Sequence, residues 1–209
     1  MRENSEPSWS GTIVVGVVGA GLVAAVTLFA GDTTPSAVAS EELLYTAADW
    51  APAIAAVAEE PGEGDRLPDF LSDGSQSFEN IDARSSILQG VDAEGITYWT
   101  AFSTVGNLCL ITLLPGQDQL ASSTCSPSPG EFRAHGLGSQ IAGNDAATRA
   151  YLVPDGYNAS ADGFTPIGTN IIRTDPYQTA AQKISLTPPA KHGGENTVTL
   201  HPFTFPDKF

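Results

Sequence analysis

The chain has 209 residues, with nine Lys and Arg against 24 Asp and Glu, which gives a formal net charge of −15 at pH 7. This charge excludes a nucleic-acid-binding protein, because no cationic surface remains to neutralise phosphates. It also disfavours binding to an anionic membrane surface. The 41% hydrophobic content is enough for a folded core, and the length indicates one domain with accessory segments.

An uncharged apolar run extends from Gly11 to Ala30. A helix of about 20 residues spans about 30 Å, the hydrocarbon thickness of a bilayer. Arg2 and the α-amino group precede the run and no Lys or Arg follows it until Arg66, so the positive-inside rule places the amino terminus in the cytoplasm. We therefore predict a cytoplasmic tail over residues 1–11, a single plasma-membrane helix over residues 12–30, and an extracytoplasmic remainder.

Two other interpretations of this region stay open. Ala37–Ala39 has the small-x-small form of a signal-peptide cleavage site, although the apolar run is longer than the usual stretch of about 7–15 residues. Gly19–Ala24 follows the G-x-G-x-x-A pattern of a dinucleotide-binding turn, with Glu41 about 20 residues further on. Residues 36–40 do not resemble the second strand of such a fold, so a cytosolic dinucleotide-binding protein is the remote alternative.

A connector with short juxtamembrane helices is predicted over residues 31–66. Ser40 is a suitable N-cap, and the two glutamates that follow it suit the first turn of a helix. Apolar residues keep helical spacing until Pro52, and a second short helix is predicted over residues 54–60. Residues 67–80 are rich in Asp, Ser and Gly, which predicts a loop at the start of the main domain.

About eight short strands are predicted from Ile87 onward. Residues 96–103 alternate in the period of a strand, and residues 108–114 (LCLITLL) are apolar on both faces, as in a central covered strand. Turn sequences separate the strands, so a mainly β fold is predicted over residues 67–209, an antiparallel sandwich or barrel-like domain, with α+β as a possible variant. The other predicted strands are residues 119–125, 131–137, 148–153, 167–173, 182–186 and 196–203.

Cys109 and Cys125 are the two cysteines of the chain. If residues 108–114 and 119–125 pair as a hairpin centred near Gln117, the two cysteines face one another directly. Opposed residues of a non-hydrogen-bonded pair have Cα atoms about 4.5 Å apart, and disulfides accept about 4.4–6.8 Å. The pattern predicts a disulfide, which requires an oxidising compartment, with a pair of buried free thiols as the alternative.

Residues suited to catalysis are sparse, and the histidines are His135, His192 and His201. A Ser-His-Asp hydrolase can be assembled from His135, Ser139 and Asp155, but the residues around Ser139 lack the G-x-S-x-G pattern. These three residues are the candidates for an alternative function, an envelope hydrolase. The main prediction includes no catalytic residue, no cofactor and no metal ligand.

Three further motifs have simple explanations. Asp73–Ser77 resembles the start of a calcium-binding loop but lacks the glycine at the sixth position, which favours a solvated acidic loop. Asn158–Ser160 has the form of a glycosylation sequon. Pro154–Gly156 has the composition of a tight turn.

Several short motifs follow one another in a distinctive order. They are Arg84-Ser85-Ser86, the strand at residues 95–101, Asn107-Leu108-Cys109-Leu110, Cys125, Phe132, Gly136-Leu137, Val153-Pro154-Asp155-Gly156 and Asn170. In this order the chain resembles a group of uncharacterised exported or single-pass membrane proteins of actinobacteria, whose extracytoplasmic domain has a similar CL…C…VPDG arrangement. The resemblance covers about residues 84–173. It implies an envelope-facing domain with a disulfide and transfers no catalytic residue.

Taken together, these features predict a membrane-anchored extracytoplasmic protein that binds an envelope ligand or another envelope protein without catalysis. The acidic surface indicates solubility in an ionic exterior and is compatible with cationic partners, but a merely well-solvated domain also carries a charge of this size. The identity of the ligand is left open at this point.

Overall fold

The computed structural model describes residues 44–72, 78, 80–116, 120–157, 163–177, 184–186 and 197–200. These residues belong to one compact unit, Ser40–Phe209. Within these ranges, no helix has the length and apolar character needed to cross a bilayer. The following predicted features lie outside the described residues: the tail and membrane helix (1–30), Gly19–Ala24, Ala37–Ala39, Asp73–Ser77, Asn158–Ser160, His192 and His201.

The described chain begins with short helices. They are α1 (Ala47–Trp50), two 3-10 helices (Ala55–Ala58 and Glu63–Asp65) and α2 (Asp69–Ser72). Leu44–Thr46 are not helical, so α1 begins later than a Ser40 N-cap predicts. The reason is local, because the Asp49 carboxylate accepts hydrogen bonds of 2.8 Å from both the amide and the hydroxyl of Thr46 and so caps the helix there. The α2 turn also interrupts the loop predicted over residues 67–80.

The first sheet contains four consecutive antiparallel strands in the order β1-β2-β3-β4. Their bounds are β1 Ile81–Val91, β2 Thr97–Ser103, β3 Leu108–Leu113 and β4 Ala121–Cys125. Five of the six residues of β3 are buried, as the LCLITLL run predicts. β1 begins at Ile81, before the start predicted at Ile87. The sequence does not show the alternation of a strand here, because the register of β1 against β2 shifts after Asp82 and again after Leu88.

The second sheet contains four antiparallel strands in the order β5-β6-β8-β7. Their bounds are β5 Leu137–Ala142, β6 Ala147–Leu152, β7 Thr165–Ile167 and β8 Ile171–Thr174. The single strand predicted over residues 167–173 is therefore wrong: it is a hairpin, and Gly168 turns the chain with a φ of 62°. A small hairpin of β9 (Ile184–Leu186) and β10 (Val198–Leu200) packs Leu186 and Val198 against Tyr151 of β6.

The strand predicted over residues 131–137 is also wrong, because most of it forms a helix, α3 (Pro129–His135). The Ser128 hydroxyl accepts a hydrogen bond from the Glu131 amide, and Pro129 occupies the first helical turn, where its missing N–H costs nothing. These start signals outweigh the weak alternation of the following residues. The coarse prediction is nevertheless confirmed: the described fold is mainly antiparallel β-sheet with a few short helices.

Both sheets contribute buried side chains to one shared hydrophobic cluster. β4 lies against β5 and β7 lies against β1, so the sheets also approach at their edges. The N-terminal helices contribute to this core, so the folded unit begins before Leu67. The main buried members are Tyr98, Leu108 and Leu110 of the first sheet, Leu137, Ala150, Leu152 and Ile171 of the second sheet, and Trp50, Ile54 and Val57 of the N-terminal segment.

The structure joins Cys109 and Cys125 in a disulfide. They are direct register partners in the β3–β4 pair, with Cα atoms 3.9 Å apart, so the hairpin register predicted from the sequence is confirmed. Cys109 is buried and Cys125 is exposed. In the chain-entropy model, closing a loop of this size stabilises the fold by about 3 kcal/mol.

Candidate functional site

Ser139, the nucleophile of the alternative hydrolase prediction, is a buried structural residue. Its side chain belongs to β5 and is 1% exposed. Its hydroxyl lies 3.0 Å from the Thr112 hydroxyl and 3.0 Å from the Ser122 hydroxyl. These contacts join the second sheet to β3 and β4 through buried hydroxyl groups. A nucleophile must be reached by substrate and activated by a base. Ser139 is closed to solvent, and among the described residues its hydroxyl contacts two other hydroxyls and no base.

His135 lies in the last turn of α3, away from the hydrogen bonds of Ser139. Its Nδ1 atom is 3.2 Å from the Thr199 carbonyl oxygen, and its Nε2 atom is 3.6 Å from the Glu131 carboxylate. Among the described residues, the side chains of Ser139 and Asp155 form their hydrogen bonds with other partners. The structure therefore does not bring the three hydrolase candidates into the contacts that a Ser-His-Asp triad requires.

Asp155 fixes the N-terminal segment to the turn after β6. Its Oδ2 atom accepts a 2.8 Å hydrogen bond from the Ala55 amide, and its own amide donates to the Ala53 carbonyl at 2.9 Å. Its Oδ1 atom accepts from the Asn170 amide group at 2.8 Å, and the same group donates to the Val153 carbonyl at 3.1 Å. We call these contacts the Asp155 clasp. The Val153–Gly156 turn and Asn170, which were singled out in the sequence, thus have a structural explanation.

Replacement of Asp155 tests the clasp. We expect Asp155→Ala to lower the free energy of unfolding by about 2–3 kcal/mol, because two hydrogen bonds to a carboxylate are lost and the Ala55 amide loses its acceptor. The measurement is denaturant unfolding of the full-length protein in detergent, followed by tryptophan fluorescence. Asp145→Ala, an exposed aspartate in the β5–β6 turn, is the matched control and should change stability by less than about 0.5 kcal/mol. Equal effects of the two substitutions would contradict the clasp.

An open cleft of about 490 Å³ is the best candidate ligand site among the described residues. It lies where the β1–β2 turn meets the starts of β6 and β7 and the end of β8. Concave sites of this size with a few convergent polar groups are the usual form of a binding site. The cleft is lined by Glu94, Ala147, Gly163, Thr165, Arg173, Thr174, Asp175, Pro176 and Tyr177.

Arg173, in the lining of the cleft, belongs to a largely buried ion pair. The Arg173 guanidinium lies 3.1 Å from the Asp92 carboxylate and also bonds to the Glu94 carboxylate. The Asp92 side chain is 1% exposed and accepts hydrogen bonds from the Glu94 amide (3.0 Å), the Ile96 amide (2.8 Å) and the Tyr98 hydroxyl (3.0 Å). Because every contact is directional, Arg173 has one orientation in the wall of the cleft.

These contacts and the burial around them change the pKa values of Glu94, Arg173 and Tyr98. The hydrogen bond from Arg173 lowers the pKa of Glu94 below its ordinary value. Burial opposes the charge of Arg173, but the hydrogen bond to Glu94 and the charge of Asp92 together raise the pKa of Arg173. Burial raises the pKa of Tyr98, whose hydroxyl lies 2.9 Å from the Thr148 hydroxyl on the opposite sheet. Groups perturbed in this way around a cleft are typical of functional sites, although structural ion pairs also produce them.

Tyr177 lines the cleft from the turn after β8 and is 76% exposed. Its amide donates a 2.9 Å hydrogen bond to the Asp175 carboxylate, and Arg149 of β6 donates a 3.0 Å hydrogen bond to the Pro176 carbonyl. The first contact lies within the turn, and the second attaches the turn to the second sheet. The backbone of Tyr177 is therefore positioned at the cleft, while most of its side-chain surface is in contact with solvent.

Asp92, Glu94, Arg173 and Tyr177 belong to no motif that marks them as site residues in the sequence. Glu94 and Arg173 are 79 positions apart, and only the pairing of the two sheets brings them together. The sequence contains only a weak indication of this contact. Arg173 is one of only nine Lys and Arg residues and follows two isoleucines in a predicted strand. An arginine at such a half-buried position needs an acidic partner.

Among the residues that the structure describes, no group of three or more His, Cys, Asp or Glu side chains is arranged to hold a metal ion. The chain matches no protein-family model, no curated protein and no solved structure. Its function therefore has to be inferred from its own residues.

Proposed function

We propose that the protein is a non-catalytic binding module on the outer side of the plasma membrane, anchored by a helix over residues 12–30. Its ligand is held in the cleft around Arg173 and Tyr177. The main support for this proposal is the cleft. It combines an open cavity of about 490 Å³, the Arg173 side chain fixed by a buried ion pair, and the exposed aromatic side chain of Tyr177. Preorganised groups of this kind favour binding, since little freedom is lost when a ligand enters.

The extracytoplasmic location is supported by the Cys109–Cys125 disulfide. Disulfides form and persist in oxidising compartments and are rare in the cytosol. The apolar run Gly11–Ala30 and the single preceding arginine are consistent with an anchor whose amino terminus is inside. The resemblance to exported actinobacterial proteins implies the same location.

Thiol labelling in intact cells tests the location. The full-length protein is treated with a membrane-impermeant maleimide before and after an impermeant reductant. We expect Cys109 and Cys125 to react only after reduction, with the exposed Cys125 reacting first. A Ser5→Cys variant reports on the predicted cytoplasmic tail and should react only after lysis. Labelling of Cys109 and Cys125 after lysis alone, without reductant, would refute an outside location.

Site-specific crosslinking in intact cells tests the binding role of the cleft. A photoreactive residue in place of Tyr177 should capture a ligand that is reproducibly identified by mass spectrometry. The same residue in place of Leu44, which is 65% exposed and lies beside the β2–β3 turn, is the control for random collisions. Identical products at both positions would show that the cleft is not the binding site.

A further inference from the structure

The charges around the cleft indicate the class of ligand. We propose that the cleft binds a group with a positive charge, an ammonium or guanidinium of the kind carried by lysine and arginine side chains, between the Glu94 carboxylate and the Tyr177 ring. This inference rests on the proposed function and specifies the ligand of the same cleft. It follows from which of the lining charges remain available to a ligand.

Arg173 is poorly placed to bind an anion. Its Nη1 atom already bonds to the Asp92 and Glu94 carboxylates, and its side chain is only 17% exposed. An anion that approached Arg173 would meet the negative charges of these two carboxylates. Asp175 adds a further exposed carboxylate to the lining, so acidic groups outnumber basic groups in and beneath the cleft. The local charge therefore repels an anionic ligand.

Glu94 has the opposite character. Its side chain is 55% exposed, so the carboxylate is accessible from the cleft while one of its oxygens holds Arg173. The Arg173 hydrogen bond also lowers the pKa of Glu94, which favours the ionised form of this carboxylate. A carboxylate that is ionised, accessible and fixed in position can accept hydrogen bonds from a cationic donor at little cost in side-chain freedom.

Tyr177 supplies the second contact. An ammonium or guanidinium within about 6 Å of an aromatic ring is attracted by the negative face of the ring. Tyr177 lines the same cleft as Glu94 and is 76% exposed, so its ring is accessible to a cation in that cleft. An apolar ligand would gain from the ring but would donate no hydrogen bond to the Glu94 carboxylate, so a cation fits the pair better.

The net charge of −15 complicates the test, because it attracts every cation to the protein surface. Diffuse attraction of this kind depends on total charge and is screened by salt. A specific site depends on particular side chains. The experiment must therefore compare substitutions that change the total charge equally but lie at different places.

The test uses the full-length protein in nanodiscs of uncharged lipid, titrated by calorimetry with amidated tetra-lysine and, separately, with spermidine. We expect Glu94→Gln and Tyr177→Ala each to weaken the affinity for the cationic probe by about threefold to tenfold. Glu60→Gln removes the same charge from an exposed position outside the cleft and should leave the affinity unchanged. Tyr177→Phe keeps the ring and should bind the cationic probe more tightly than Tyr177→Ala.

The outcomes separate this inference from the proposed function. If Glu60→Gln and Glu94→Gln weaken binding equally, the attraction is diffuse and the inference is wrong, while the labelling and crosslinking results still decide the proposed function. If amidated tetra-glutamate binds and the cationic probes do not, the ligand class is wrong. Binding of the peptide but not of spermidine supports a basic peptide segment as the source of the cation, and equal binding supports a free polyamine.

Discussion

Gly106→Ala is expected to lower the free energy of unfolding by about 3–5 kcal/mol. Gly106 has a φ of 84°, which costs an L residue about 1–2 kcal/mol. A Cβ atom on this residue would also lie 1.9 Å from the Tyr45 carbonyl oxygen and 2.9 Å from the Tyr45 carbonyl carbon. These are backbone atoms, so the contact is relieved only if the N-terminal segment moves away from the β2–β3 turn.

Such a movement removes several contacts together. The Leu44 amide donates a 3.0 Å hydrogen bond to the Val105 carbonyl, and the Trp50 indole donates a 2.9 Å hydrogen bond to the Gly106 carbonyl. Trp50 is fully buried, and its ring packs edge-on against Phe132. Each lost hydrogen bond costs about 1 kcal/mol, and displaced aromatic packing adds to this.

Gly163→Ala is the matched control, because Gly163 has nearly the same φ, 86°, and a Cβ atom there would meet nothing within 4 Å. It should lose only the conformational part, about 1–2 kcal/mol. The measurement is denaturant unfolding of the full-length protein in detergent, followed by tryptophan fluorescence. If the two substitutions lower the free energy of unfolding equally, the close approach of Tyr45 to Gly106 does not contribute to the cost of Gly106→Ala.

The β3–β4 hairpin could be predicted from the sequence in detail because local information determines it. Its apolar run, its turn residues and the position of each cysteine constrain one register, and Cys109 pairs with Cys125 in that register. The segment at residues 129–135 contains equally local signals in Ser128 and Pro129, and here the start of a helix was misread as part of a strand. In both cases the necessary information lies within a few residues.

The candidate site could not be predicted in the same way. Glu94 lies in a turn of the first sheet and Arg173 at the end of a strand in the second, so their contact depends on how the sheets pack. The role of Asp155 was misjudged for the same reason: its partners Ala55 and Asn170 are 100 and 15 positions away. Sequence patterns encode which face of an element is buried, but not which polar groups meet across the core.

Asp92→Ala is expected to lower the free energy of unfolding by about 3–5 kcal/mol. Asp92 accepts hydrogen bonds from the Glu94 and Ile96 amides and from the Tyr98 hydroxyl, and it also pairs with Arg173. Alanine leaves these donors without their acceptor in a buried environment. Breaking a buried ion pair by removing one partner typically costs this much, because the remaining charge loses its compensation.

Glu94→Ala is the internal comparison, because Glu94 bonds to the same guanidinium from an exposed position. Exposed ion pairs contribute about 0–1 kcal/mol, so this variant should remain close to the original stability. The pair of variants separates the effect of burial from the effect of pairing with Arg173. Both are measured by denaturant unfolding of the full-length protein in detergent.

A double variant identifies the source of the Asp92 effect. If the unpaired guanidinium is the main cost, Asp92→Ala combined with Arg173→Met should recover about 1 kcal/mol relative to Asp92→Ala alone, since the uncompensated charge is gone. If nothing is recovered, the cost lies in the Ile96 and Tyr98 hydrogen bonds, and the turn is fixed without Arg173. If Asp92→Ala lowers the free energy of unfolding as little as Glu94→Ala does, Asp92 does not hold Arg173 and Glu94 rigidly in place. A binding site that depends on preorganised charges would then lose its physical basis, because Glu94 would have no fixed position from which to hold a cation.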